Sequence, residues 1–355
     1  MIKVKILPIS RLNKIKEFDG HQAVYSITEP KCGLSAFISI HSSNGGSAIG
    51  GTRYFSYKTE DDAIRDSLNL SRAMTYKCAI AGVALGGGKA VIMATEKGKS
   101  STLIEAYARA VNSLNGLFRT GEDVGIDEDD VVRMGNISKY ILGLPGNAGD
   151  PSPWAALSVF RSIEAALLYT FGSDSINGRM FAIKGVGKVG AELTRLLYDC
   201  GGEVTVGDVD KEKINELSKK FPGVKVVSPE EIHKQSVDVY APCAMGGEFT
   251  TTSIEELNCK IVCGSANNQL ADCNVGKIFN DRGIVYVPDY LANAGGLINV
   301  ADELNNGGYN KERVRFKVLG IRETVSMVLG LSAKENRPTN EISDKLAEDL
   351  FRVKI

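Results

Sequence analysis

The chain has 355 residues, 43 % of them hydrophobic and 24 % charged, with a formal net charge of −1. That length suits about two domains at ~150 residues each, the composition is ordinary for a globular protein, and the balanced charge argues against a nucleic-acid partner or an anionic membrane surface. No apolar run reaches the ~18 residues needed to span a bilayer.

The basic N-terminus, MIKVKILPISRLNKIKEF, has neither a long apolar core nor a small-residue cleavage site, so no signal peptide is expected. The seven cysteines (32, 78, 200, 243, 259, 263 and 273) form no CxxC pair, which fits reduced thiols and a cytoplasmic location. His21, His41 and His233 are scattered along the chain, which argues against a zinc site and a histidine-based triad; no metal is expected.

In chain order, QAVYSIT and LSAFISI within 22–40 read as two strands, rich in β-branched and aromatic residues and bounded by Pro30 and Gly33. A glycine-rich loop, SSNGGSAIGG (42–51), leads to GTRYF. Thr59 and Asp62 then form a capping-box-like helix start, and Ile64, Leu68, Leu70 and Met74 an apolar stripe. This helix is expected to end at Tyr76–Lys77, where the helix dipole favours a cation, so Lys77 is better suited to hold a charge than to shuttle a proton.

Residues 74–89, MTYKCAIAGVALGGGK, carry Lys77 and Lys89 on either side of small and apolar residues. Glycines can adopt positive φ, and small residues let backbones approach. A loop of this kind can bring a lysine out of bulk water, where the ammonium is disfavoured and a second lysine adds to the effect. Such a lysine can take a proton at neutral pH. The alternative is that Gly86–Gly88 is only a flexible turn and both lysines are surface charges.

Ala90–Met93 reads as a strand after this loop. Ser101–Leu114 reads as a helix, with Leu103, Tyr107 and Val111 at helical spacing. Asp123 sits in RTGEDVGID (119–127), where clustered acids on a turn are commonly solvated. The Gly/Pro-rich segment GLPGNAGDPSP (143–153) marks the domain boundary, and 154–170 reads as a helix entering the second domain.

Residues 180–210 run strand, glycine turn, helix, strand. The turn Gly185-Val186-Gly187-Lys188-Val189-Gly190 is a full GxGxxG: Gly185 for the tight turn, Gly187 for close approach of a pyrophosphate, Gly190 for helix–strand packing. The helix start would bind the phosphate through backbone N–H groups. Asp208, at the end of the next strand, suits the adenosine ribose hydroxyls and repels a 2′-phosphate, favouring NAD over NADP. Further strands are read in 224–227, 237–244, 259–270 and 283–296, with ligand-facing loops at the carboxyl edge of a parallel sheet. Residues 311–330 and 340–353 read as helices.

IGGTR (49–53), AMTYK, GGGK, TGEDVG, GDPSP, GVGKVG, CGSANNQL and NAGGLINVADEL together make the chain resemble the amino-acid dehydrogenase family that includes the glutamate, leucine, valine and phenylalanine dehydrogenases. The resemblance covers about residues 35–310, in the family's motif order, and is greatest to the short branch acting on hydrophobic amino acids. It implies an α/β fold: an N-terminal α/β substrate and oligomerisation domain over 1–150, a doubly wound Rossmann-type NAD-binding domain over 151–330, a cleft between them, and a C-terminal helix, 331–355, that rejoins the first domain.

The same resemblance implies the site. Lys89 would be the general acid/base and Asp123 its catalytic partner. Lys77 would hold the substrate carboxylate, Gly50 and Gly51 would contact substrate through backbone, and Asn268 would bond substrate near the nicotinamide. Ile49, Met74, Gly121, Leu297 and Val300 would line the side-chain pocket, and the Gly121 and Leu297 pair leans aromatic. Val209, Cys243 and Ala244 would join the glycine turn, Asp208 and Asn268 around NAD. Ala156 stands where leucine-type members usually carry threonine.

The implied reaction takes a hydrophobic L-amino acid to its 2-oxo acid, ammonia and NADH, and runs in reverse. Phenylalanine or tryptophan leads and leucine or valine is the alternative. The expected assembly is a homo-oligomer, dimer or octamer. Two other readings are a 2-hydroxy-acid dehydrogenase, against which stands the lack of a histidine in a cleft-forming motif, and a non-catalytic NAD or amino-acid sensor, against which stands the intact Lys77, Lys89 and Asp123 set.

Overall fold

The computed structural model describes residues 1–44, 46–96, 98–272 and 274–352, so that Cys273 lies outside the described residues. The chain divides into two compact units. One comprises Met1–Asp150, Val300–Tyr309 and the chain from Ala347 on; the other comprises Pro151–Asn299 and Asn310–Leu346.

In the first unit the strands are β1 (Lys3–Ile6), β2 (Ala23–Glu29), β3 (Leu34–Ile40), β4 (Ala48–Ile49), β5 (Thr52–Phe55), β6 (Gly86–Met93) and β7 (Phe118–Arg119), and the helices are α1 (Ile9–Leu12), α2 (Glu60–Ile80), α3 (Ser101–Ser113) and α4 (Glu128–Gly135). The sheet order is β1-β2-β3-β6-β4-β7, with β5 also on β6. Pairing is antiparallel from β1 through β6 and parallel beyond.

Side chains alternate across a strand, and β3 is buried on both faces. Ala36, Ile38 and Ile40 pack with Leu103, Tyr107 and Val111 of α3, whereas Phe37 packs with Ala63, Ile64 and Leu68 of α2. The α2 start is a capping box: Thr59 Oγ1 accepts from Asp62 N, and Asp62 Oδ2 accepts from Thr59 N. This helix runs past its expected end to Ile80, leaving Lys77 in its last turn.

The expectation of a glycine loop before Lys89 is corrected. Gly86–Gly88 are the first residues of β6, buried and hydrogen-bonded at the centre of the sheet. None has positive φ; steric pressure explains them. A Cβ at Gly86 would lie 1.9 Å from Ser42 O, one at Gly87 2.0 Å from Thr75 N, and one at Gly88 2.8 Å from the Phe118 ring.

The sequence scatters its histidines, but the β2–β3 hairpin brings two together. His21 precedes β2 and His41 follows β3, and their rings meet edge-on with centroids 4.8 Å apart. His41 Nδ1 bonds Thr75 Oγ1 at 2.9 Å, and Thr75 Oγ1 accepts from Gly87 N at 3.1 Å, so the pair backs the glycine strand. Burial, with the His21 charge adding to it, pushes His41 down to about 4.

An unfolded histidine titrates near ~6.5. Below that pH the unfolded chain takes up a proton that folded His41 refuses until about 4. Stability should therefore fall as pH drops through this window, by about 3 kcal/mol. Urea melts from pH 7 to 4 should show a steeper loss in the native protein than in His41→Gln; equal slopes would exclude the linkage.

In the second unit the strands are β8 (Met180–Lys184), β9 (Glu203–Gly207), β10 (Lys225–Val226), β11 (Val237–Pro242), β12 (Cys259–Val262) and β13 (Val285–Tyr286). The helices are α5 (Ser152–Phe171), α6 (Lys188–Asp199), α7 (Lys211–Lys220), α8 (Val275–Asp281), α9 (Asp289–Ala292), α10 (Gly295–Asp302, ending in the first unit), α11 (Lys311–Leu319), α12 (Ile321–Glu335) and α13 (Thr339–Arg352). All strands pair in parallel in the order β10-β9-β8-β11-β12-β13, the doubly wound Rossmann order.

The helix expected over 311–330 is two, α11 and α12, meeting at Gly320. The return of the chain to the first unit is also narrower than 331–355, since only residues from Ala347 on group with it. The first half of α13 is held in the second unit, where Thr339 Oγ1 donates to Tyr286 O and the Tyr290 hydroxyl donates to Asp344. Past the division, Glu348 accepts from the Tyr76 hydroxyl of α2 at 2.7 Å.

Candidate active site

In the first unit, β4 and β5 are one strand with a gap. Both lie parallel to β6 in the same register, Ile49 facing Gly87 before the gap and Thr52 facing Ala90 after it. The gap is Gly50–Gly51, opposite Gly88 and Lys89. A Cβ on Gly50 would sit 1.8 Å from Gly88 O and 3.3 Å from Met74 Cγ; one on Gly51 would sit 2.6 Å from Glu122 O and 2.8 Å from Asp123 Cβ. These two glycines let four stretches of chain crowd together.

The Asp123 segment runs beside this interrupted strand. Gly50, Thr52 and Tyr54 donate their N–H groups to Arg119, Gly121 and Val124 carbonyls. Below it, the buried hydroxyls of Thr52, Tyr107 and Thr120 form a chain, at 2.7 Å from Thr52 to Tyr107 and 2.6 Å from Thr52 to Thr120. Beyond it, Lys99 Nζ binds Gly125 O, Asp127 and Asp130, and the Asp127–Asp130 capping box starts α4. Asp127 and Asp130, which follow Asp123 in sequence, thus have structural work in a helix start.

Lys89 pairs with Ser39, whose hydroxyl bonds Ser67 of α2, so β6 turns Lys89 toward the α2 face. Its Nζ reaches Asp123 Oδ2 at 2.6 Å, with only 9 % and 14 % of the two side chains exposed. A buried charge pair is stable only when its members hold each other. Burial alone would raise the Asp123 carboxyl, but the charges of Lys89 and Arg53 and the Lys89 hydrogen bond outweigh it and keep it below its ordinary value. The arrangement is a sheltered carboxylate with a lysine amine able to carry one proton to or from a bound molecule.

Arg53 and Asp66 were not singled out from sequence. Arg53 Nε lies 3.5 Å from Asp123 Oδ2, and its Nη1 lies 3.0 Å from Asp66 Oδ2. Arg53 stands inside GGTR, so position in that motif was its available signal; nothing local marks Asp66.

Of the pocket residues read from sequence, Ile49 is buried in β4, Met74 packs toward Gly50, and Gly121 precedes the Asp123 turn. A Cβ at Gly121 would meet Leu142 O at 2.7 Å, so this glycine serves backbone packing as well as space. Val300 belongs to the first unit, its Cγ1 3.8 Å from the Cβ position of Gly143, while Leu297 is buried in the second.

The second unit carries the glycine turn between β8 and α6, where the order of parallel strands reverses. A Cβ on Gly185 would meet Ala244 N at 2.8 Å and one on Gly190 would meet Gly185 O at 2.0 Å, whereas nothing lies within 4 Å of one on Gly187. Gly187 N-caps α6 with no side-chain cap, and a helix N-terminus of this kind favours an anion. Lys188 and Val189 open that helix. Asp208 follows β9; its Oδ2 accepts from Val186 N at 2.7 Å and its Oδ1 from Asp210 N at 2.8 Å, and Val209 beside it is exposed. Cys243 and Ala244 follow β11, and Cys243 N donates to Lys184 O. Burial pushes the Cys243 thiol up, away from the reactive thiolate.

Asn268 follows β12 in the left-handed region, φ 53. Its N–H donates to Asp289 and its carbonyl accepts from Gly247. Asn293 steadies the same loop through Ser265 O and Asn267 Oδ1. An open Gly187 face, a helix start without a side-chain cap and a carboxylate just after β9 fit a dinucleotide. Among the described residues, no group of three or more His, Cys, Asp or Glu is placed to hold a metal ion.

Comparisons with known proteins converge. A family model described as "Glu/Leu/Phe/Val dehydrogenase, dimerisation domain" matches residues 21–140, and one described as "Glutamate/Leucine/Phenylalanine/Valine dehydrogenase" matches 205–315. Leucine dehydrogenase of Bacillus subtilis is 41 % identical over 94 % of this chain and 92 % of its own. Phenylalanine dehydrogenase of Thermoactinomyces intermedius is also 41 % identical, with the same coverage. The crystal structure of L-tryptophan dehydrogenase from Nostoc punctiforme superposes with a TM-score of 0.81 at 37 % identity, covering 98 % of this chain and 99 % of that one.

Proposed function

The chain belongs to the Glu/Leu/Phe/Val dehydrogenase family, and from that premise we propose that it oxidatively deaminates a hydrophobic L-amino acid with NAD, with Lys89 as general acid/base and Asp123 as its partner. It is an oxidoreductase using a nicotinamide cofactor. The observation that carries the site reading is the buried Lys89–Asp123 pair at the gap between β4 and β5.

When bound, the nicotinamide supplies the hydride acceptor. The chain does the rest. Lys77, in the last turn of α2, holds the substrate carboxylate, and the Gly50–Gly51 backbone and Asn268 orient the amino acid. Lys89 takes a proton from water, directing its oxygen onto the α-carbon that has lost hydride. Asp123 manages the proton on the nitrogen, and ammonia leaves. Gly185–Gly190 and the α6 N–H groups would hold the pyrophosphate, Asp208 the ribose hydroxyls, and Val209, Cys243 and Ala244 would flank the dinucleotide.

NAD is preferred because the Asp208 carboxylate already bonds the glycine turn and would repel a 2′-phosphate. We assign an aromatic substrate from the Gly121 and Leu297 pair. The branched-chain reading is kept as the second, since leucine and phenylalanine dehydrogenases are equally identical to the chain. One methylene is worth only ~1–3 kcal/mol of discrimination, so substrates should overlap. The 21–140 segment, matching a dimerisation domain, supports a homo-oligomer.

A screen of the twenty L-amino acids at alkaline pH should give NADH absorbance with L-Phe, L-Trp and L-Leu, aromatic kcat/KM highest, and little with NADP. Binding without hydride transfer across the set would favour a sensor and overturn the reading.

A further inference from the structure

We propose that Arg53 is a positioning residue for this reaction, a fixed cation clamped by Asp66 that keeps Asp123 ionised while Lys89 gains and loses its proton. The inference rests on the acid–base roles proposed above.

One guanidinium faces two carboxylates from different elements. Arg53 Nη1 donates to Asp66 Oδ2 at 3.0 Å, and Asp66 Oδ2 also accepts from the Tyr57 hydroxyl at 2.6 Å. On its other side, Arg53 Nε stands 3.5 Å from Asp123 Oδ2. That N–H makes no aligned hydrogen bond among the described residues, so it acts on Asp123 as a charge. The exposed fractions of Arg53, Asp123 and Asp66 are 18, 14 and 25 %, too little water to screen the charges fully.

The result is an alternating series: Lys89 ammonium, Asp123 carboxylate, Arg53 guanidinium, Asp66 carboxylate, Tyr57 phenol. The charged groups facing Asp123 are Lys89 from β6 and Arg53 from β5; Asp66 on α2 and Tyr57 stand behind Arg53, and the neighbouring Glu122 is exposed.

The asymmetry of the two cations matters. Lys89 must change its charge in the cycle, whereas an arginine keeps its own. When Lys89 is an amine, Arg53 is the cation left to hold Asp123 as an anion. A proton shared within the pair then rests on the amine, which leaves the Asp123 carboxylate ready to accept from the substrate nitrogen. Asp66 fixes the guanidinium and offsets part of its field. A lysine at 53 would keep the charge without the planar fork that lets one group meet both carboxylates.

The test is the pH profile of kcat/KM for NAD-linked deamination of L-Phe, or the best substrate of the screen. Removing a cation eases protonation of its neighbours, so Arg53→Gln should move the acid limb up by about one pH unit and lower kcat by about tenfold. Asp66→Asn removes an anion and should move the limb the other way, by about half a unit. Arg53→Lys should leave the limb near that of the native enzyme. All three should keep their KM for NAD.

A structural role alone would shift both charge-removing variants in one direction or neither. That outcome, with Lys89→Ala inactive, would overturn the role of Arg53 and leave Lys89 standing. Normal turnover by Lys89→Ala would instead remove the reading beneath it. Should Arg53→Gln fail to fold, the direction of the Asp66→Asn shift decides alone.

Discussion

Replacing Lys89 by alanine is expected to lower kcat by about 10²–10⁴-fold, the usual range for loss of a general acid or base, while NAD binding stays intact. The fold should also survive. Removing one partner of a buried pair costs about 3–5 kcal/mol when the other is left uncompensated, but Asp123 in this variant still faces Arg53 at 3.5 Å. The opposite deletion is harsher. Asp123→Asn leaves Lys89 buried beside the Arg53 guanidinium with no carboxylate between them, so both stability and activity should fall. Circular dichroism, NADH fluorescence and steady-state rates on the two variants separate these effects. Native-like turnover by Lys89→Ala would reject the mechanism outright.

What could be read from sequence follows from how local each signal is. The strands β2 and β3, the capped helix α2 and the strand–glycine turn–helix of 180–199 announce themselves within a few residues, through alternation, caps and spacing. β1 does not: Lys3–Ile6 is an edge strand whose side chains are mostly exposed, so no buried face shapes its sequence. Gly86–Gly88 misleads in the other direction. Three glycines suggest a turn when only propensity is considered, yet the loop, helix and strand packed on them are contributed by residues 42–43, 71–75 and 118, which no local window contains.

The same limit divides the site. Lys89, Asp123 and the glycine turn are legible because whole motifs carry them. The Arg53–Asp66 clamp and the His21–His41 contact depend on the α2–sheet packing and on hairpin register, and neither has a signature along the chain.

The packing at Gly87 yields the second large effect. Gly87→Ala should destabilise the protein by about 3 kcal/mol or more, the upper end for overpacking. The added methyl would lie 2.0 Å from Thr75 N and 2.5 Å from Ser71 O, both backbone atoms of α2, so no rotamer change relieves it. Either β6 or α2 must retreat. α2 carries Met74 and Lys77, and β6 carries Lys89 two residues on and on the same face, so a retreat of about 1 Å would also cost about 10²-fold in rate.

Gly330→Ala is the control with the opposite sign. Gly330 lies inside α12 with nothing within 4 Å of its Cβ position. Alanine there removes the cost of a helical glycine and should stabilise by ~0.5–1 kcal/mol. Thermal melts of the two variants should therefore move in opposite directions. A Gly87→Ala protein that melts with the native one and turns over normally would mean that α2 does not press on β6 as the structure has it.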